Sequence, residues 1–208
     1  IALFMYFGLR NLEIIPSKKQ SIVESSYEFI SGMIGDNIGN EGMKYFSFIF
    51  TLFLFILVGN LLGMLPYSFT WTSHIIVTFA IAFFIFIGVT FIAIYKHGIV
   101  KFLKFFAPAG VPKPILILLV PIEIISYLSR PISLSVRLFA NMMAGHTLLK
   151  VIGGFVFVLG ANSFIVGGIL PLAFLIALTG LEIVIAFLQA YVFAILTCLY
   201  INDAIHLH

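Results

Sequence analysis

The feature that most constrains this chain is the length of its uncharged apolar stretches. Residues 45–65, 75–95 and 164–181 approach or exceed the ~18 near-uncharged residues that mark a bilayer-spanning helix. Over the whole chain 62% of residues are hydrophobic and 9% charged, against roughly 45–50% and about 25% in soluble domains. A soluble core of this size cannot hide that excess, so lipid is the solvent for most of the molecule. The expected fold class is an all-α membrane protein.

The polar residues then divide the chain as a single membrane domain over 1–208. Residues 1–10 read as the end of a first span, better matched to a trimmed or processed helix than to a secretory signal. Residues 17–38 mix Ile22, Val23, Ile30 and Ile34 with Lys18, Glu24, Glu28 and Asp36, too polar to cross and suited to an amphipathic helix at the interface. Spans follow at 43–65 and 74–95, then a basic loop carrying Lys96, Lys101, Lys104 and Lys113. Cationic loops stay on the side of insertion, which puts this loop and Lys18 inside, and the N-terminus and residues 160–163 outside. Lys150 alone fits that assignment poorly, close to the outer end.

Beyond Pro114 only two long apolar tracts remain, separated at Gly160-Ala-Asn-Ser163. The second, from Phe164 to Tyr200, would extend ~55 Å as helix against a hydrocarbon core of ~30 Å. A steeply tilted hairpin, 114–159 with 164–203, is favoured over two further spans, and Pro121 and Pro131 are expected to bend its first arm.

Ionisable and amide side chains at membrane depth are costly, and those that persist face a protein interface or a wet cavity. The hairpin carries Glu123, Arg130, Arg137, Asn141 and His146 on one arm and Glu182, Gln189, Asn202 and Asp203 on the other. In an antiparallel pair, residues whose numbers add to one value lie level. Arg137 with Gln189 and Glu123 with Asp203 both give 326, and His146 with Glu182 gives 328. One register therefore stacks three polar pairs at different depths, which describes a divided proton path.

A His beside a carboxylate can pass a proton near neutral pH. A guanidinium stays protonated, so Arg137 in the middle interrupts a proton wire. Nine residues separate Arg137 from His146, which puts them on opposite faces, with Asn141 on the Arg137 face. On this reading Arg137 addresses a partner outside the chain, and His146 lines a cavity with Glu182. The competing readings are a structural ion pair for Arg137, interhelical hydrogen bonds for His146, Glu182 and Gln189, and interfacial snorkelling or pairing with Arg130 for Glu123. Asn60, in Gly59-Asn-Leu-Leu-Gly63, reads as channel lining or as close packing among small residues.

Several functions are disfavoured. The formal charge of +3 is modest and its basic residues sit at span ends, a poor footprint for nucleic acid. No GxxxxGK[ST] motif occurs, so any nucleotide chemistry belongs to another chain, and no metal or cofactor is expected. The single Cys198 lies in an apolar run and reads as packing.

The run Ser133-Leu-Ser-Val-Arg-Leu-Phe-Ala-Asn-Met-Met-Ala-Gly-His146 resembles the signature of subunit a of F-type ATP synthases. Gln189-Ala-Tyr-Val-Phe193, Asn60-Leu-Leu-Gly-Met-Leu-Pro66, the Pro-Ala-Gly-Val-Pro loop at 108–112 and Tyr200-Ile-Asn-Asp-Ala204 extend the likeness over nearly the whole chain. The placement of His146 and Glu182 is similar to mitochondrial members and their closest bacterial relatives. The resemblance implies a non-catalytic, proton-translocating subunit in a mitochondrial inner or bacterial plasma membrane. It implies a ring of c subunits and b-type peripheral-stalk subunits as partners, with Arg137 facing the ring carboxylates. Protons would enter near Asn60, Asn141, His146, Glu182 and Gln189 and leave near Glu123 and Asp203. The membrane potential contributes ~2.3 kcal/mol per charge per 100 mV only if the charge crosses by way of the rotor. The alternative is a stand-alone secondary transporter or channel, expected to show internal repeats, none of which is visible.

Overall fold

The computed structural model describes residues 18–64, 71–106, 113–162 and 166–206. The expected first span at 1–10 and the Pro-Ala-Gly-Val-Pro loop at 108–112 lie outside the described residues, save for the placement of their neighbours. Every regular element among the described residues is helical, so the chain is an all-α membrane protein. We number the α-helices α1 (Lys18–Asn37), α2 (Phe46–Gly63), α3 (Ile75–His97), α4 (Ile99–Phe105), α5 (Lys113–Asn162) and α6 (Val166–Ile205). Short 3-10 turns at Asn40–Tyr45 and Trp71–Ser73 precede α2 and α3. Four stretches are long and apolar enough to cross a bilayer: Asn40–Gly63, Ile75–His97, Ile115–Gly160 and Gly168–Ile205.

Helix α1 turns Val23, Ile30, Met33 and Ile34 inward, with Ile38 just past its end also buried, and leaves Glu24, Glu28 and Asp36 exposed. Its buried stripe packs on α2 and α6, so the amphipathic pattern serves the protein core on one side. Exposed Ile22, Tyr27 and Phe29 remain beside the charges. Helix α3 ends where Gly98 takes φ +81°, a left-handed turn that a side chain would oppose. The chain then folds back as α4 against α3.

The two long helices form the expected hairpin, and each runs unbroken. Helix α5 continues through Pro121 and Pro131, and α6 through Pro171. Of the segment expected to separate the arms, 160–162 are still helical in α5, and Ser163 lies outside the described residues. Gly160 is used for approach: a Cβ on Gly168 would sit 3.3 Å from its Cα, so the arms nearly touch at the tip.

Small residues set the core spacing. Along α6, Ala186, Ala190, Ala194, Cys198 and Ala204 are buried at helical spacing with Phe193 and Ile201. From Ala190 onward they join one core with Ile49, Phe53 and Ile56 of α2, Ala82, Ile85 and Ala93 of α3, and Leu134 and Leu138 of α5. Lipid supplies no hydrophobic drive between helices, so these close contacts act through dispersion. The opposite faces carry Ile76, Phe84, Ile117 and Leu170, all at least 70% exposed, which is the surface that lipid or another subunit covers.

Candidate functional site

Polar groups gather at two levels of the hairpin. Toward the Asn60 end, α2, α5 and α6 enclose a cavity of about 190 Å³ lined by Asn60, Asn141, Glu182 and Gln189 among Leu138, Met142 and Gly145. Each helix has a reason to be there. Asn60 closes the buried Ile49–Phe53–Ile56 stripe of α2, and its Nδ2 donates to the Ala186 carbonyl at 3.4 Å. Glu182, Ala186 and Gln189 share the buried seam of α6 at spacings of four and three. On α5, Leu138, Asn141, Met142 and Gly145 present the facing stripe.

Glu182 fits because Gly145 has no side chain. A Cβ built on Gly145 would overlap Glu182 Oε1 and lie 3.0 Å from its Cδ. Glu182 is 9% exposed, and neither carboxyl oxygen has a protein hydrogen-bond partner; the same holds for Asn60 Oδ1 and Gln189 Nε2. Buried polar atoms facing a cavity of this size are met by water. A carboxyl, two amides and room for several waters form an environment that can accept, hold and release a proton.

His146 stands differently from its expected place. It is half-buried and close enough to act electrostatically on Glu182, but the cavity wall is made by Asn141 and Gly145. One residue on from Gly145, its side chain projects ~100° around the helix from the stripe that faces the cavity. Asn141 is corrected the other way. Its ~40° offset from Arg137 is enough to cross the seam, so it faces the cavity while Arg137 is exposed.

The second level contains Arg130, Asp203, Tyr127 and Tyr200, around a narrow gap bounded also by Val89 and Phe102. Arg130 Nη1 lies 3.0 Å from Asp203 Oδ2. The ion pair at this level joins Asp203 to Arg130, and Glu123, read as level with Asp203, is half-buried on α5. Helical side chains lean toward their own N-terminus. On antiparallel arms Arg130 leans down and Asp203 leans up, so they meet although their α-carbons are about two turns apart in the 326 register.

Tyr127, whose hydroxyl lies 2.7 Å from Thr90 Oγ1, did not stand out in the sequence, and Tyr200 entered only within the Tyr200–Ala204 run; Arg130 did, as a possible partner of Glu123. The available signal was the heptad spacing of Glu123, Arg130 and Arg137. Trp71 was also missed. It packs against Gly59, beside Asn60, and its ring lies 4.9 Å from Phe55, so it covers the outer end of α2. Among the described residues no cluster of three His, Cys, Asp or Glu could hold a metal ion.

Against known proteins, the family described as ATP synthase A chain matches residues 1–202. The chain is 61% identical over 208 residues to "ATP synthase subunit a" of Pelagibacter ubique, covering 100% of this chain and 83% of that protein. It is 58% identical over 205 residues to the protein of that name from Allorhizobium ampelinum, covering 98% and 82%. For the one from Paramagnetospirillum magneticum the identity is 55% over 211 residues, covering 100% and 85%.

Proposed function

This chain belongs to the ATP synthase A chain family and is a multi-pass membrane component of the ATP synthase complex, and from that premise we propose that it carries two offset proton half-channels separated by Arg137. The observation that carries the reading is the placement of Arg137. It is exposed halfway along α5, while its neighbours Leu138, Asn141 and Gly145 turn toward the polar cavity. A permanent cation exposed at membrane depth needs an anionic partner, and a moving carboxylate on a ring of c subunits supplies one.

Protons enter the cavity of Asn60, Asn141, Glu182 and Gln189, with His146 exchanging protons with Glu182 at its edge. From there they reach a ring carboxylate. Arg137 stabilises that carboxylate in its ionised form as it passes and offers no acceptor for a proton moving directly between levels. After rotation the proton leaves past Glu123 toward the other face. Asp203, paired with Arg130, lines the same exit with Glu123. The partners this reading calls for are the c-ring and b-type stalk subunits, in the energy-coupling membrane of a bacterium or mitochondrion.

Arg137→Ala tests it. In inverted vesicles containing the assembled complex, ATP-driven acidification should fall by at least about 100-fold, an effect of ~2.7 kcal/mol or more on the barrier. Acidification at the normal rate would refute the assignment.

A further inference from the structure

Among the described residues, five buried side-chain nitrogen and oxygen atoms have no hydrogen-bond partner. Four of them belong to Asn60, Glu182 and Gln189, which line the outer cavity. The fifth is Oγ1 of Thr72, a fully buried residue that the half-channel reading leaves unused. The other buried hydroxyls are satisfied within their own helices. Thr78 donates to the Ile75 carbonyl at 3.1 Å, and Ser135 and Thr197 donate to the Ile132 and Phe193 carbonyls at 2.9 Å. A buried hydroxyl without a protein partner carries a desolvation cost, which water relieves.

Thr72 sits in the Trp71–Ser73 turn, which packs on α2, α3 and α5. Two contacts fix its level. On the α2 side, the Trp71 indole fills the notch at Gly59, the residue before Asn60. On the α5 side, the Tyr127 hydroxyl lies 2.7 Å from Thr90 Oγ1. Helix α3 crosses toward the inner face and α5 returns, so eighteen residues back from Thr90 and eighteen on from Tyr127 bring Thr72 about level with Gly145. Gly145 is the position against which Glu182 packs. The turn thus joins the outer ends of α2 and α3 and stands between the membrane surface and that carboxyl.

We propose that Thr72 belongs to the proton entry path: its hydroxyl holds the water that passes protons between the outer surface and Glu182. This rests on the half-channel reading above. A hydroxyl suits the place because it accepts and donates at once. A proton from the water on one side binds an Oγ1 lone pair as the hydroxyl proton leaves for the water on the other. One O–H bond forms, one breaks, and the side chain is restored uncharged. Valine has nearly the same shape and can do neither.

The test compares Thr72→Val and Thr72→Ser with the parent in inverted vesicles, where ATP hydrolysis drives protons along the same path in reverse. Acidification is normalised to assembled complex. Thr72→Val should lower it at least 10-fold, and Thr72→Ser, which keeps the hydroxyl, should stay within about 3-fold of the parent. In a dry site the unpaired hydroxyl is only a cost, so Thr72→Val would raise the thermal-inactivation midpoint and pump normally. Normal pumping by Thr72→Val therefore overturns the proposal. So does a Thr72→Ser complex as impaired as Thr72→Val, because the methyl and not the hydroxyl then matters. Where Thr72→Val does not assemble, Thr72→Cys in a Cys198→Ala background decides, using a small membrane-impermeant thiol reagent on right-side-out vesicles. Modification from the outer face supports the proposal, and an unmodified thiol overturns it. Pumping by Arg137→Ala, by contrast, would remove the half-channel reading itself.

Discussion

Replacing Gly145 by alanine separates the proton-handling role of the outer cavity from its role in packing. The added Cβ overlaps Glu182 Oε1 and approaches Cδ to 3.0 Å. The obstructing atom is the tip of a flexible side chain, so the helices need not separate. The carboxyl withdraws instead, by roughly an ångström, and a misplacement of that size at a reacting group costs on the order of 100-fold in rate. Glycine to alanine inside a helix meanwhile favours the fold by up to ~1 kcal/mol through propensity, which offsets the cost of moving the carboxyl. Gly145→Ala should therefore assemble with normal thermal stability while ATP-driven acidification falls 10- to 100-fold, or ~1.4–2.7 kcal/mol on the barrier. The assay is initial acidification in inverted vesicles, normalised to assembled complex, alongside the midpoint of thermal inactivation. Full pumping by an assembled Gly145→Ala complex would refute the claim that the position of Glu182 governs proton entry. A complex that falls apart would refute the claim that the contact is a flexible one.

Gly59→Ala makes the opposite case, because the new Cβ runs into the Trp71 indole, 2.7 Å from Cε2 and 3.0 Å from Nε1. A rigid ring cannot withdraw, so the variant should lose about 1–3 kcal/mol, read as a lowered thermal-inactivation midpoint; an unchanged midpoint would mean that the ring moves freely. Tyr127→Phe keeps the face against Arg130 but removes the hydrogen bond to Thr90. It should cost about 1 kcal/mol, and a midpoint equal to that of the parent would show the bond to contribute nothing.

Much of this arrangement was legible in the chain itself, for reasons that differ by element. The spans and the amphipathic helix follow from hydropathy, since a bilayer tolerates few charges and their positions mark the ends. The cost of burying amides and a carboxyl marked Glu182 and Gln189 as facing an interface or wet cavity, while their grouping with Asn60 came from the family resemblance. What periodicity could not supply was side-chain direction. Levels read from residue numbers treat each side chain as a point, which hid the pairing of Asp203 with Arg130. A rotation of ~40° also decided that Asn141 faces the cavity and Arg137 does not. Gly145 shows a second limit. Its importance is the space it leaves for a side chain from another helix, and nothing in its sequence neighbours records that.

Two wet regions that do not join through Arg137 are what the account requires, and accessibility from each face of the membrane measures that directly. Cys198 is fully buried, and a Cys198→Ala background leaves the chain without a competing thiol. Asn141→Cys and Glu123→Cys in that background would be exposed to a small, water-soluble, membrane-impermeant thiol reagent in right-side-out and inverted vesicles. Asn141→Cys should react only from the outer face and Glu123→Cys only from the inner face. Reaction of both from the same face would reveal a continuous aqueous passage past Arg137 and contradict the account.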